Sequence, residues 1–168
     1  HNKTEKQLIF IKKLESLKTW EEVSKLLLIA HKAINEGALE FLNEFTLHSF
    51  KNILDLTNNA KDTRALIRCS LVEHYYKYIR TYSENYFAVT SAMHASAKIE
   101  EEEFAKSMRH IKNFQVLKQL LNIALKTEDK LTASIELFEI PIVKEMGKMV
   151  LLDAIKMYSA LKEFVTVT

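Results

Sequence analysis

Apolar residues recur every three or four positions along most of this chain, a spacing that places them on one face of an α-helix. In the first segment, residues 3–17, Leu8, Ile11 and Leu14 share such a stripe, and lysines and glutamates lie outside it. The longest stripe predicts a single helix over residues 63–93. Its members are Leu66, Cys69, Val72, Tyr75, Tyr76, Ile79, Tyr82 and Tyr86.

Helix ends are marked by a small set of residues. Thr19 and Glu22 have the spacing of a capping box, in which the threonine hydroxyl accepts from the amide of Glu22. Gly37 suits the left-handed conformation that closes a helix, and Pro141 suits the first turn of a last helix that runs to Phe164. Further helices are predicted at residues 39–45, 50–56, 114–125 and 131–138, with another opened by the acidic run 100–103 and a turn at 57–59. This pattern predicts an all-α domain of seven or eight helices, layered or superhelical.

The composition supports a single helical domain spanning residues 1–168. The chain has two glycines and one proline, too few for the tight turns that join the strands of a sheet. Its formal net charge of +2 lacks the strong basic excess of a nucleic-acid binder, so nucleic acid is not an expected partner. The single cysteine, Cys69, fits a reducing, intracellular setting, and its place on an apolar stripe predicts a buried, unreactive thiol. No apolar run reaches membrane-spanning length.

The sequence offers little material for catalysis. No two histidines lie three or four residues apart, and no glutamate precedes a histidine by three, so the paired ligands of a di-iron bundle are missing. Two glycines cannot form a phosphate-binding loop. We therefore expect no catalytic residue, metal or cofactor, and an enzyme ranks behind two binding functions. The tyrosine-rich stretch 75–82 is interpreted as core packing, with Tyr78 and Arg80 reaching a neighbouring helix.

Lysines are concentrated in the amino-terminal segment. The set comprises Lys3, Lys6, Lys12, Lys13, Lys18 and Lys25, with few acids among them. Such a face suits the anionic headgroups of a membrane, where each lysine contributes about 1 kcal/mol near the surface. A solvated helix surface would show the same pattern, so both interpretations stay open at this point. Lys3, Lys6, Lys12 and Lys13 are the candidate lipid-binding residues.

Three stretches follow one another in an order and spacing found in a known family. The first contains Trp20, the segment KLLLIAHKAINEG that ends at Gly37, and then Phe41-Leu42. The second is residues 78–82, YIRTY, and the third is residues 151–160, LLDAIKMYSA. Together they resemble the central part of an ANTH domain, the amino-terminal homology domain of clathrin-assembly adaptors, which is related to the ENTH and VHS domains.

The resemblance implies an α-helical solenoid, a right-handed superhelix, that binds phosphatidylinositol 4,5-bisphosphate at the cytoplasmic face of the membrane. It also implies a role in endocytosis on clathrin-coated pits and vesicles, by binding and not by catalysis. Clathrin and its adaptor partners would be contacted through regions outside this chain. Five residues match family-motif positions, to which we assign structural roles: Trp20, His31, Gly37, Arg80 and Tyr82.

The sequence departs from the family pattern at the lipid-binding motif. In the family, a lysine-rich segment ending in Pro-Lys-x-Lys-His holds the phosphoinositide, and no such segment precedes Trp20 here. No lipid ligand is therefore carried over residue by residue. We expect the chain to be part of an ANTH-like domain, without the first helix motif and the carboxyl-terminal helices. The alternative is a helical scaffold, similar to ENTH or VHS domains, that binds peptides in a groove between helices and has no lipid-binding activity.

Overall fold

The computed structural model describes residues 5–94, 104–132 and 135–167, and helices account for most of them. Those ranges contain no β-strand. They form seven helices of nine or more residues and two short helices of four residues each. The all-α prediction is therefore confirmed. The segments are α1 (Glu5–Ser16), α2 (Trp20–Asn35), α3 (Leu39–Leu47), α4 (Lys51–Leu54), α5 (Thr63–Glu84), α6 (Tyr86–His94), α7 (Phe104–Thr132), α8 (Ile135–Phe138) and α9 (Pro141–Val167).

The predicted ends of α2 are both confirmed. The Thr19 hydroxyl accepts a hydrogen bond from the amide of Glu22 at 3.3 Å, and the carboxylate of Glu22 accepts from the same hydroxyl at 3.0 Å. At the other end Gly37 has a φ of 89°, which is left-handed backbone. The amide of Ala38 bonds to the carbonyl of Ala33 at 2.9 Å, so the helix closes in a Schellman motif.

Two predicted boundaries are wrong, for local reasons. The helix expected over 63–93 breaks at Asn85, whose side-chain amide donates to the carbonyl of Thr81 at 2.8 Å and so ends α5. Conversely, α7 continues through the polar residues that separate the two helices expected over 114–138, because none of them is Gly or Pro. The hydroxyl of Thr127 donates a hydrogen bond to the carbonyl of Ile123, one turn earlier in the same helix, at 2.8 Å. The acidic run 100–103 lies outside the described residues.

The helix α5 lies at the centre of the packing and contacts α2, α3, α4 and α7, while α9 packs along α7 and α2. Its tyrosines form the middle of the core, since Tyr75, Tyr76 and Tyr78 are fully buried. Cys69 is also buried, as predicted. Leu66 is exposed instead of buried. It lies in the first turn of α5, ahead of Arg68, the residue that contacts Trp20 at the start of α2.

The helix α1 packs on α3 and α4 through aromatic contacts and side-chain hydrogen bonds. The ring of Phe10 meets the ring of Phe41 edge-on, with 4.9 Å between centroids. The side-chain amide of Asn52 donates to the carbonyls of Leu14 and Leu17 at 2.8 and 3.1 Å, satisfying acceptors at the end of α1. This packing puts Phe10 in the core and leaves Leu8 exposed, so the predicted place of Leu8 on the buried stripe is wrong.

Candidate functional site

The outward side of α1 carries the predicted lysines around an exposed isoleucine. Ile9 is 61% exposed. Lys6 lies three residues before it, and Lys12 and Lys13 lie three and four residues after it, so all three are its neighbours on the helix surface. Leu8, also exposed, lies four residues before Lys12. We call this group, Lys6, Leu8, Ile9, Lys12 and Lys13, the α1 surface.

The charge of the α1 surface is available to a ligand. Lys6, Lys12 and Lys13 are all exposed, and none of them forms an ion pair with another described residue. Two acids, Glu5 and Glu15, lie on the same helix. Glu5 lies four residues before Ile9 and Glu15 lies three residues after Lys12, so each acid adjoins one member of the α1 surface, whereas Lys6 and Lys13, seven residues apart, share the opposite flank from Glu15.

The structure brings together three of the four candidate lipid-binding residues. Lys6, Lys12 and Lys13 share the α1 surface, whereas Lys3 lies outside the described residues. Ile9 could not be assigned to either face from the sequence, although its spacing from Lys6, Lys12 and Lys13 places all three lysines next to it on a helix.

A second group of polar residues lies inside the protein and joins three helices. His31 of α2 and Asp153 of α9 are fully buried, and the imidazole Nε2 donates to the Asp153 carboxylate at 2.7 Å. The same carboxylate accepts from the Tyr78 hydroxyl at 2.8 Å and from the Asn35 side-chain amide at 2.9 Å. The other nitrogen of His31 is 2.8 Å from the Tyr75 hydroxyl. We call these five residues the buried polar cluster.

The buried polar cluster joins α2, α5 and α9; His31, Tyr75, Tyr78 and Asp153 are fully buried, and Asn35 is partly buried. Burial, and secondarily the charge of Asp153, raises the pKa of the Tyr75 and Tyr78 hydroxyls well above their usual value. Both hydroxyls therefore stay neutral and serve as hydrogen-bond donors or acceptors. His31 and Tyr78 each form a hydrogen bond to a neighbouring helix, as predicted. The bond of Asp153 to His31 could not be predicted from the sequence, because the two residues are 122 positions apart.

The remaining family-motif positions have identifiable contacts. The indole of Trp20 lies 5.3 Å from the guanidinium of Arg68, which stacks over it. Tyr82 is buried, with its ring centroid 6.2 Å from that of His31. Arg80 differs from the expectation, since its Nε pairs with Glu84 at 3.1 Å on the same helix instead of reaching the next one. Residues four apart are neighbours on a helix surface, so Glu84 is within reach of Arg80 without a contact to another helix.

Groups capable of chemistry are sparse among the residues that the structure describes. Burial first, and then the nearby charge of Glu21, raises the pKa of the Cys69 thiol, which keeps it protonated. Within the described ranges no three His, Cys, Asp or Glu side chains are placed to hold a metal ion. A search of the same residues finds no helix with the length and apolar character needed to cross a membrane.

Comparisons with known proteins add no relative. No family model matches the chain, and no curated protein or solved structure is significantly similar to it. The resemblance to ANTH domains rests on the three sequence stretches that carry it.

Proposed function

We propose that this protein is a peripheral membrane-binding domain that docks on anionic, phosphoinositide-containing membranes through the α1 surface. The observation that supports the proposal is the arrangement of Lys6, Lys12 and Lys13 around the exposed Ile9. A helix of this kind, basic with an exposed aliphatic side chain, suits the interface between lipid headgroups and acyl chains.

The energy of docking follows from the residues of the α1 surface. Three lysines near an anionic bilayer contribute roughly 3 kcal/mol together, at about 1 kcal/mol each. Inserting the exposed part of Ile9 adds on the order of 1 kcal/mol. Such a sum gives weak, reversible binding, and the electrostatic part declines as salt shortens the range of the attraction.

The ANTH resemblance supplies the context of the proposal. In that context the domain belongs to a clathrin adaptor, its helices form a right-handed superhelix, and its lipid is phosphatidylinositol 4,5-bisphosphate. It acts by binding, not by catalysis, at the cytoplasmic membrane face and on clathrin-coated pits and vesicles. Contacts with clathrin and adaptor proteins are made by regions outside this chain.

The test is liposome co-sedimentation at about 0.15 M salt, where exposed charges are screened beyond about 8 Å. Vesicles containing phosphatidylinositol 4,5-bisphosphate are compared with phosphatidylserine vesicles of matched charge. We expect the wild type to pellet with both and more strongly with the inositide. The double variant Lys6→Glu/Lys13→Glu reverses two charges on the α1 surface and should abolish pelleting.

The matched control is Lys126→Glu/Lys130→Glu, which makes the same charge change at two exposed lysines of α7. It should bind vesicles nearly as well as the wild type. Equal losses in both double variants would mean that only net charge matters, and the proposed site on α1 would be wrong. If the wild type pellets with neither kind of vesicle, the membrane function itself is refuted.

A further inference from the structure

The outward side of α9 carries a stripe of large apolar residues that no described part of the chain covers. Leu151, Ile155 and Tyr158 are 44, 52 and 63% exposed. Their spacing of four and then three residues places them one above another on the helix surface. Leu152 is exposed next to them. Among the described residues, no other helix exposes as many large apolar side chains.

This stripe is additional to the face that α9 uses for folding. Val150, Ala154 and Met157 are buried on the opposite side of the helix, which packs along α7 and α2. The core therefore does not account for the exposed side chains. Contiguous apolar side chains on the surface of a folded protein mark sites of interaction.

Positive charge borders the stripe. Lys148 lies three residues before Leu151, Lys156 lies four residues after Leu152, and both lysines are exposed. Of the two acids from residue 145 to residue 162, Asp153 is buried in the polar cluster and faces α2, and Glu145 pairs with Lys32 of α2 at 3.8 Å. The outward surface of this part of α9 is thus apolar at its centre and basic at its edges. We call Lys148, Leu151, Leu152, Ile155, Lys156 and Tyr158 the α9 surface.

We propose that the α9 surface docks an acidic amphipathic helix of another protein. A helical ligand presents apolar anchors at the same spacing of three, four and seven residues, which matches the stripe on α9. Glutamates or aspartates beside those anchors would face Lys148 and Lys156. A second copy of this chain is disfavoured as the occupant, because it would bring lysines against lysines at the edge of the contact. The carboxyl-terminal helices expected of an ANTH-like domain would compete for the same surface, and a longer chain in which they bury Ile155 would overturn the proposal.

The experiment is selection of helical peptides displayed on phage against the immobilised wild-type protein. The peptides have fixed leucines at helical spacing, and the flanking positions vary among Glu, Lys, Gln and Ser. Clones that also bind the Ile155→Ser variant are removed. We expect the surviving peptides to be enriched in glutamate. Their affinity should fall about tenfold on Tyr158→Ser, a variant that takes no part in the selection, which is the loss expected when one large anchor is removed.

Further variants separate the possible occupants. Lys148→Glu/Lys156→Glu should also weaken binding of the selected peptides, whereas Ile29→Ser removes an isoleucine of α2 that is 58% exposed and should leave binding unchanged. Enrichment of lysine, or the absence of any peptide sensitive to Ile155→Ser, overturns the proposal. So does sedimentation showing a wild-type dimer that Ile155→Ser dissociates, or vesicle binding that depends on Ile155. None of these results involves Lys6 or Lys13, so the membrane function is tested separately.

Discussion

Replacing His31 with alanine removes the imidazole that links α2 to both α5 and α9. Two contacts are lost, the 2.7 Å bond to Asp153 and the 2.8 Å bond to the Tyr75 hydroxyl. Asp153 keeps Tyr78 and Asn35 as donors. The variant is therefore expected to fold, with the Tyr75 hydroxyl left without its partner in a fully buried position.

The size of the effect follows from these losses. A buried polar group left without a hydrogen bond costs about 1–3 kcal/mol, and the cavity left by the imidazole adds to this. The hydrogen bond to the Asp153 carboxylate contributes about 1.5–3 kcal/mol more, which brings the total loss to roughly 3–5 kcal/mol. For a chain of this length, 1 kcal/mol corresponds to about 2–4 °C, so the melting temperature should fall by roughly 6–20 °C.

The assay is thermal and urea unfolding followed by circular dichroism, with vesicle binding measured on the same samples below the transition. His74→Ala is the matched control, because His74 is only partly buried and its Nδ1 bonds to the carbonyl of Ser70 within α5. We expect the control to change stability by less than about 1 kcal/mol. A His31→Ala protein that melts like the wild type but binds vesicles weakly would refute the structural role of His31.

Three further results are expected. Tyr75 and Tyr78 have raised pKa values in the folded state, so above pH 10 or so the unfolded chain releases their protons first. The free energy of unfolding should then fall as the pH rises, by up to about 1.4 kcal/mol per pH unit for each tyrosine. Urea titrations from neutral to alkaline pH measure this dependence. The Tyr78→Phe variant should show a smaller slope. Gly37→Ala should lower the free energy of unfolding in urea by about 1–2 kcal/mol. The added Cβ would meet no other atom, so the cost comes from the left-handed backbone, with a φ of 89°. An unchanged stability would mean that the Schellman motif relaxes. Cys69 should react with a thiol reagent only after urea unfolds the protein, and rapid labelling of the native state would contradict its burial.

Features set by neighbouring residues could be predicted from the sequence. The capping box at Thr19, the left-handed Gly37 and the first-turn Pro141 each depend on contacts within a few residues, and each begins or ends a helix where expected. The break at Asn85 was missed because the apolar stripe of α5 continues past it to Tyr86. There a side chain competing for backbone carbonyls outweighs the hydrophobic pattern.

Features that depend on distant contacts could not be predicted. The exposure of Ile9 results from the way Phe10 packs against Phe41, and periodicity alone does not choose between Leu8 and Phe10 as the buried residue. The pairing of His31 with Asp153 requires α2 and α9 to meet, and nothing local indicates it. The sequence predicts that Lys6, Lys12 and Lys13 share one segment, and the structure places them on one helix, but the exposure of Ile9 among them required the structure.

The separation of His31 from Asp153 has a consequence for synthesis. The two residues are 122 positions apart, so α2 leaves the ribosome long before its acceptor on α9 is made. At about 5–20 residues per second this delay is roughly 6–24 s. For most of that time Tyr75 and Tyr78 are already present, but the carboxylate that bonds to Tyr78 is not. The nascent chain therefore exposes core surface of α2 and α5 until α9 is made, and that surface favours aggregation of the unfinished chain.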